Sequence, residues 1–166
     1  IMVWNATYMV SGGLSESKAA SFASLFFWGM TIGRISTGFI ADKVGDAFMI
    51  RVGSIALISA IILTPFIPVS YFWIVLLLLG LGCAPFYPMM MHQTPRLYGV
   101  DASPALIGLQ MASAYVGSTL APSLFGFISK LSGMWIFPIY LVFFFVILVF
   151  STEKKRSLLS SLGLLK

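Results

Sequence analysis

Charge is what this sequence has least of. Of 166 residues, 9% are charged, while 59% are hydrophobic and 15% aromatic, and the mean hydropathy is +1.00. A soluble domain carries about 25% charged residues to keep its surface wet. A share this small excludes a water-soluble globule, so lipid must be the solvent for most of the surface. Cysteine occurs once, at Cys83, which excludes an internal disulfide. Histidine also occurs once, at His92, and a metal site needs several convergent ligands, so no metal and no cofactor is expected. The chain has no H-E-x-x-H, no G-x-S-x-G and no region that gathers His, Cys and carboxylates, so an enzyme is not expected. The net charge of +5 does not point to nucleic acid, because the basic residues sit at the ends of apolar runs rather than on one face.

What is present is long apolar runs. A bilayer core about 30 Å thick needs roughly 20 apolar residues of helix. Five runs meet that length: 19–41, 46–67, 71–91, 104–131 and 135–151, with Ile1 to Val10 reading as the tail of a sixth. None alternates as a barrel strand would, and lipid demands internally satisfied backbones, so the expected fold is an all-α, polytopic membrane bundle. Turn chemistry separates the runs at Ser11-Gly12-Gly13, Lys43-Val44-Gly45, Thr64-Pro65 with Pro68, and Ser132-Gly133. The expected division is one transmembrane unit over 1–156 and a short cytoplasmic tail over 157–166, whose Ser-Leu-Leu-Ser-Ser-Leu-Gly-Leu-Leu-Lys could lie on the membrane surface.

Alternation puts Lys43, Arg51, Arg96, Lys154, Lys155, Arg156 and Lys166 on one side, with Lys18 and Lys130 on the other. The positive-inside rule then places the carboxyl terminus in the cytoplasm, and Tyr71-Phe72-Trp73 and Trp135 at the outer boundary. The expected location is the cell membrane.

Arg34 lies about two turns from the inner end of its run. Gly29, Gly33, Thr37 and Ala41 form a face of small residues that admits a close helix neighbour, so Arg34 is expected to point into protein rather than to snorkel toward headgroups. "GRISTGFIADKVG" resembles the signature loop of the major facilitator superfamily, with Gly33 and Arg34 in the helix and Gly38, Ala41, Asp42, Lys43 and Gly45 filling Gly-x-x-Ala-Asp-Arg/Lys-x-Gly at the turn. That superfamily carries the motif between the second and third helices of each six-helix half, which is its position here if the partial run counts as the first. "WNATYMVSGGLSESKAASFASLFFWGMTIGR", "GLGCAPFYPMMMHQTPRLYG" and "IGLQMASAYVGSTLAPSLFGFI" resemble the seventh and eighth, tenth, and eleventh helices of its fucose-permease-like branch. The resemblance implies the carboxyl-terminal half of a twelve-helix transporter, a missing amino-terminal six-helix half as partner, and gating and structural roles for Arg34 and Asp42.

Transporters of this kind bind their solute near the midplane between two repeats. The candidate cavity residues are Asn5, Tyr8, Trp28, Tyr87, Gln110 and Tyr115, an aromatic-plus-amide set suited to a small hydrophilic solute such as a sugar. Core packing competes with that role for each aromatic. Asn5-Ala6-Thr7 matches a glycosylation acceptor but sits in a run, so it reads as accidental. His92, beside Gln93, Thr94 and Pro95, reads as a cap or an interface hydrogen bond rather than a proton relay. Gly80, Gly82, Pro85 and Pro88 interrupt one run, where a movable element is favoured over a static kink.

The acids Glu16, Asp42, Asp46, Asp101 and Glu153 all lie at run ends or in connections. Protons are the coupling ion the resemblance implies, and a buried coupling carboxylate would have to come from the other half. The expected function is alternating-access transport, this chain being a partial transporter. A non-transporting half with an assembly role, or a channel-like subunit, are the alternatives; no filter loop favours the channel.

Overall fold

The computed structural model describes residues 2–161, with the side chains of residues 4–41, 43–95 and 97–152. Seven helices follow in order: α1 (Met2–Ser11), α2 (Glu16–Val44), α3 (Asp46–Leu63), α4 (Phe72–Cys83), α5 (Phe86–Tyr98), α6 (Ser103–Ser132) and α7 (Phe137–Ser161). Single 3-10 turns precede α4 at Val69–Tyr71 and α7 at Met134–Ile136. No strand occurs among the described residues. The chain is a helical membrane bundle, as its composition requires.

Four stretches are long and apolar enough to cross a bilayer: Asp46–Leu63, Val69–Pro95, Ser103–Ser132 and Met134–Thr152. The 29-residue α2 has the length, about 44 Å at 1.5 Å per residue, but is not among them. Its serines, Thr31 and Arg34 dilute its apolar character.

Three boundaries differ from the sequence reading. The run over 71–91 is two helices, because Pro85 and Pro88 have no N–H to continue the ladder. Bonds from Ala84 N to Gly80 O (3.1 Å) and from Met89 N to Pro85 O (3.1 Å) close the two sides of the break, and α5 then runs on to Tyr98. Helix α3 stops at Leu63 rather than 67, just ahead of Thr64-Pro65. Helix α7 continues to Ser161, so residues 157–161 of the expected tail extend the last helix; 162–166 lie outside the described residues.

Helix α4 is the axis of the bundle. Phe72, Val75, Leu76 and Leu79 are fully buried along it. On one flank α2 presents the expected small face, with Gly29, Gly33, Thr37 and Ala41 all buried. A Cβ on Gly29 would run into the Leu77 carbonyl, one on Gly33 would lie 2.5 Å from the Ala84 Cβ, and one on Gly80 would strike the Phe26 carbonyl. On the other flank, a Cβ on Gly53 of α3 would sit 2.8 Å from Gly82 O. Backbone therefore lies against backbone on both sides of α4. Lipid is as apolar as leucine, so closeness of this kind is what holds membrane helices together.

Away from the signature loop an aromatic cluster ties α1, α4, α6 and α7. Tyr8 packs on Phe72 and Phe137 with ring centroids 5.3 and 4.9 Å apart, and Phe125 on Tyr140 at 4.5 Å. Trp4 donates its Nε1–H to the Pro122 carbonyl at 3.0 Å and lies over Gly126, where a Cβ would come within 2.8 Å of the indole.

Gly80→Ala should destabilise the folded protein by about 1–3 kcal/mol, since backbone cannot retreat as a side-chain tip can. Gly108→Ala, where a Cβ meets nothing within 4 Å, should leave stability unchanged or raise it by up to about 1 kcal/mol. Thermal unfolding of the two variants in detergent compares them directly; equal losses would contradict the packing described for α4.

Candidate functional site

The signature residues fall at one corner of the bundle. Helix α2 runs unbroken through Gly33, Arg34, Gly38, Asp42 and Lys43 to Val44, and α3 begins at Asp46. Gly45 alone makes the turn. Its φ of 83° and ψ of 155° lie in a region that side chains with a Cβ avoid, which is why glycine is needed there. Its N–H closes α2 on the Ala41 carbonyl at 2.8 Å, and its own carbonyl accepts from Met49 N at 3.3 Å. Lys43 in the last turn of α2 and Asp46 in the first turn of α3 each carry the charge that suits their helix end.

Among the described residues, an apolar cluster and a polar contact join the corner to α5. Ala41, Met49 and Met89 form a small buried cluster with Ile50 against it, separate from the main core. Above it, His92 Nδ1 lies 3.1 Å from Asp46 Oδ1 and 3.3 Å from Oδ2. This is the interface hydrogen bond read for His92 from sequence.

Arg34 makes no buried contact within these helices. It is exposed, off the face that Gly29 and Gly33 bury against α4. Gly38 also meets nothing within 4 Å of a built Cβ. The reason is geometric: α4 occupies the small-residue face, and Arg34 lies one residue beyond Gly33, about 100° round the helix. The Asp42 side chain lies outside the described residues.

The six cavity candidates lie in different settings. Asn5 is 1% exposed, and neither Nδ2 nor Oδ1 has a hydrogen-bond partner. Tyr8 is half-buried in the aromatic cluster. Gln110 is half-buried and donates its Nε2–H to Thr94 Oγ1 at 3.0 Å, joining α5 to α6. Trp28, Tyr87 and Tyr115 are exposed. No group of three or more His, Cys, Asp and Glu side chains suited to a metal ion occurs among the described residues.

The partners in three positioning contacts were not anticipated from the sequence: Asp46 for His92, Thr94 for Gln110, and the Pro122 carbonyl for Trp4. The partners are 46, 16 and 118 residues apart, so local pattern carried no signal for them.

The sequence model of the Major Facilitator Superfamily matches residues 1–161. The chain belongs to this superfamily. No curated protein and no solved structure matches it significantly. Membership makes it an integral, multi-pass membrane protein of a family that carries solutes across the bilayer. The Gly45 corner is thus a feature of a transporter chain. Gly45→Ala should cost about 1–3 kcal/mol, the usual cost of holding a Cβ in that backbone region. A thermal-unfolding comparison with Gly38→Ala checks it, and an unshifted Tm for Gly45→Ala would contradict the turn geometry.

Proposed function

We propose that this chain is the carboxyl-terminal half of a twelve-helix secondary transporter that moves a small hydrophilic solute, a sugar being the first class to test, by alternating access. Its partner is an amino-terminal six-helix half packed against α2 and α6. The fucose-permease-like branch, the cell membrane and a cytoplasmic carboxyl terminus belong to the same reading.

The observation that carries it is the surface of α6. Residues 111–120 are all exposed, and a Cβ at Gly108 or Gly117 would meet nothing within 4 Å. A lipid-facing surface is apolar, as on α7, where Phe143, Val146, Ile147 and Phe150 are exposed. Helix α6 exposes Ser113, Gly117, Ser118 and Thr119, with Tyr115, among the apolar Met111, Val116 and Leu120. Small and hydroxylated residues suit a neighbouring helix or a watered cavity. Exposed Arg34 and open Gly38 on α2 support the same partner, since an arginine among the helices of a membrane bundle ordinarily faces protein or water. Among the described acids, Glu16 and Asp46 lie in first helical turns and Asp101 in the turn before α6. Proton coupling through a midplane carboxylate therefore rests on the other half.

The alternative, a non-transporting half with an assembly role, predicts no flux even with the partner half present. Uptake of a panel of radiolabelled monosaccharides into vesicles holding the full-length protein, with and without a protonophore, separates the two readings. Uptake should be saturable and collapse with the protonophore; its absence for every hydrophilic solute tested favours the assembly role. In the same assay Asp42→Asn should lower flux about tenfold, equivalent to about 1.4 kcal/mol on the limiting barrier, with membrane insertion intact. Unchanged flux would remove Asp42 from the gate.

A further inference from the structure

Among the described residues the buried polar side chains are Asn5, Thr37, Thr64, Thr94 and Ser103. The four hydroxyls each donate to the backbone carbonyl four residues earlier, at Gly33, Ala60, Met90 and Gly99. Serine and threonine can satisfy themselves in this way within their own helix. An asparagine amide carries two N–H donors and a carbonyl acceptor, more than the preceding carbonyl alone can match. Asn5 is 1% exposed, and neither its Nδ2 nor its Oδ1 has a partner.

Its place on α1 sharpens the mismatch. Asn5 lies six residues before Ser11, the last residue of the helix, or about 9 Å along the axis. Met9, one turn on, is fully buried in the main core, so the two share the packed face of α1. Trp4 reaches the Pro122 carbonyl and Tyr8 packs on Phe72 and Phe137, but neither contact engages the amide. The link from α1 to α2 contains Gly13, with φ 95° and nothing within 4 Å of a built Cβ. The chain can change direction there with no side chain in the way.

We propose that α1 has a second packing, and that Asn5 sets the balance between the two: its amide is shut away and unmatched here, and reaches water or a polar group of another helix there. An unmatched amide destabilises only the packing that buries it, so it raises the population of any packing that does not. An aliphatic side chain of similar shape has the opposite effect. Asn5 is thus a positioning residue that acts through the placement of α1. The use of this movement in transport rests on the function proposed above; the movement itself does not.

The test reads α1 rather than flux. The full-length protein carries Met9→Cys as a reporter on the packed face, with Cys83→Ala, in lipid nanodiscs, and is exposed to a charged, membrane-impermeant methanethiosulfonate. With Asn5 in place the thiol should label, and Asn5→Leu should slow labelling about tenfold, equivalent to about 1.4 kcal/mol in the balance. Backbone hydrogen exchange over residues 5–10 should stay slow under the same conditions, because a helix that repacks keeps its hydrogen bonds. Without the reporter, Asn5→Leu or the smaller Asn5→Val should raise Tm by about 2–4 °C. A thiol that never labels, labelling that ignores Asn5→Leu, or exchange as fast as labelling overturns the second packing. A Tm that falls in both aliphatic variants overturns it too, because the amide would then be matched in this one. No solute enters these measurements, so their failure and that of the uptake assay are told apart.

Discussion

Contact of backbone with backbone along α4 is the constraint on which the rest of the bundle depends. In lipid there is no hydrophobic gain in bringing one apolar helix to another, so attraction comes from dispersion at short range. Gly29 and Gly33 on one side, Gly53 on the other, and Gly80 and Gly82 between them remove the side chains that would hold the helices apart. Neighbouring glycines on α4 point at different partners: Gly80 toward Phe26 and Met30 of α2, Gly82 toward Gly53 and Leu57 of α3. One helix thereby serves two close interfaces. The cost is a glycine-rich stretch with weak helix propensity, and the helix breaks just past it, at Ala84-Pro85.

Packing is unequal from one end of the bundle to the other. The aromatic cluster contributes large rings locked between four helices, and Trp4 pins α1 to α6 through both a hydrogen bond and a glycine notch. The signature corner has three small or flexible buried residues and the Asp46–His92 contact among its described residues. A bundle built this way opens more readily at its lightly packed end, because local stability follows local buried contact. The break between α4 and α5 lies between the two regions.

The fold was legible because lipid makes composition speak loudly: run lengths and turn residues located every helix to within a few positions, apart from the split at Pro85 and the extension of α7. The signature residues were legible as a pattern, and the positive φ of Gly45 supplies the physical reason for the last of its glycines. Side-chain direction was another matter. Gly33 and Arg34 are neighbours in sequence yet lie on different sides of α2, because adjacent residues diverge by about 100°. Tyr8 and Tyr115 look alike in sequence and differ completely in place, one against Phe72 and Phe137, the other exposed on α6. Pairings across 46 or 118 residues leave no local trace.

The polar groups of the spans divide into those this chain satisfies and those it does not. Gln110 has Thr94, Trp4 has the Pro122 carbonyl, and the hydroxyls of Thr37 and Thr64 bond back to the carbonyls of Gly33 and Ala60. Asn5 has nothing, though it is 1% exposed. Each buried polar atom left unmatched costs about 1–3 kcal/mol, a penalty that sequences ordinarily avoid. A valine or leucine at that position would fill the space without the penalty, so the amide is retained for something other than the stability of this conformation. A change of conformation would give it a use, because a group closed off in one state can meet water or a shifted helix in another. Arg34 is the exposed case: it lies on a different face of α2 from the one packed on α4, and among the described residues no side chain is paired with it.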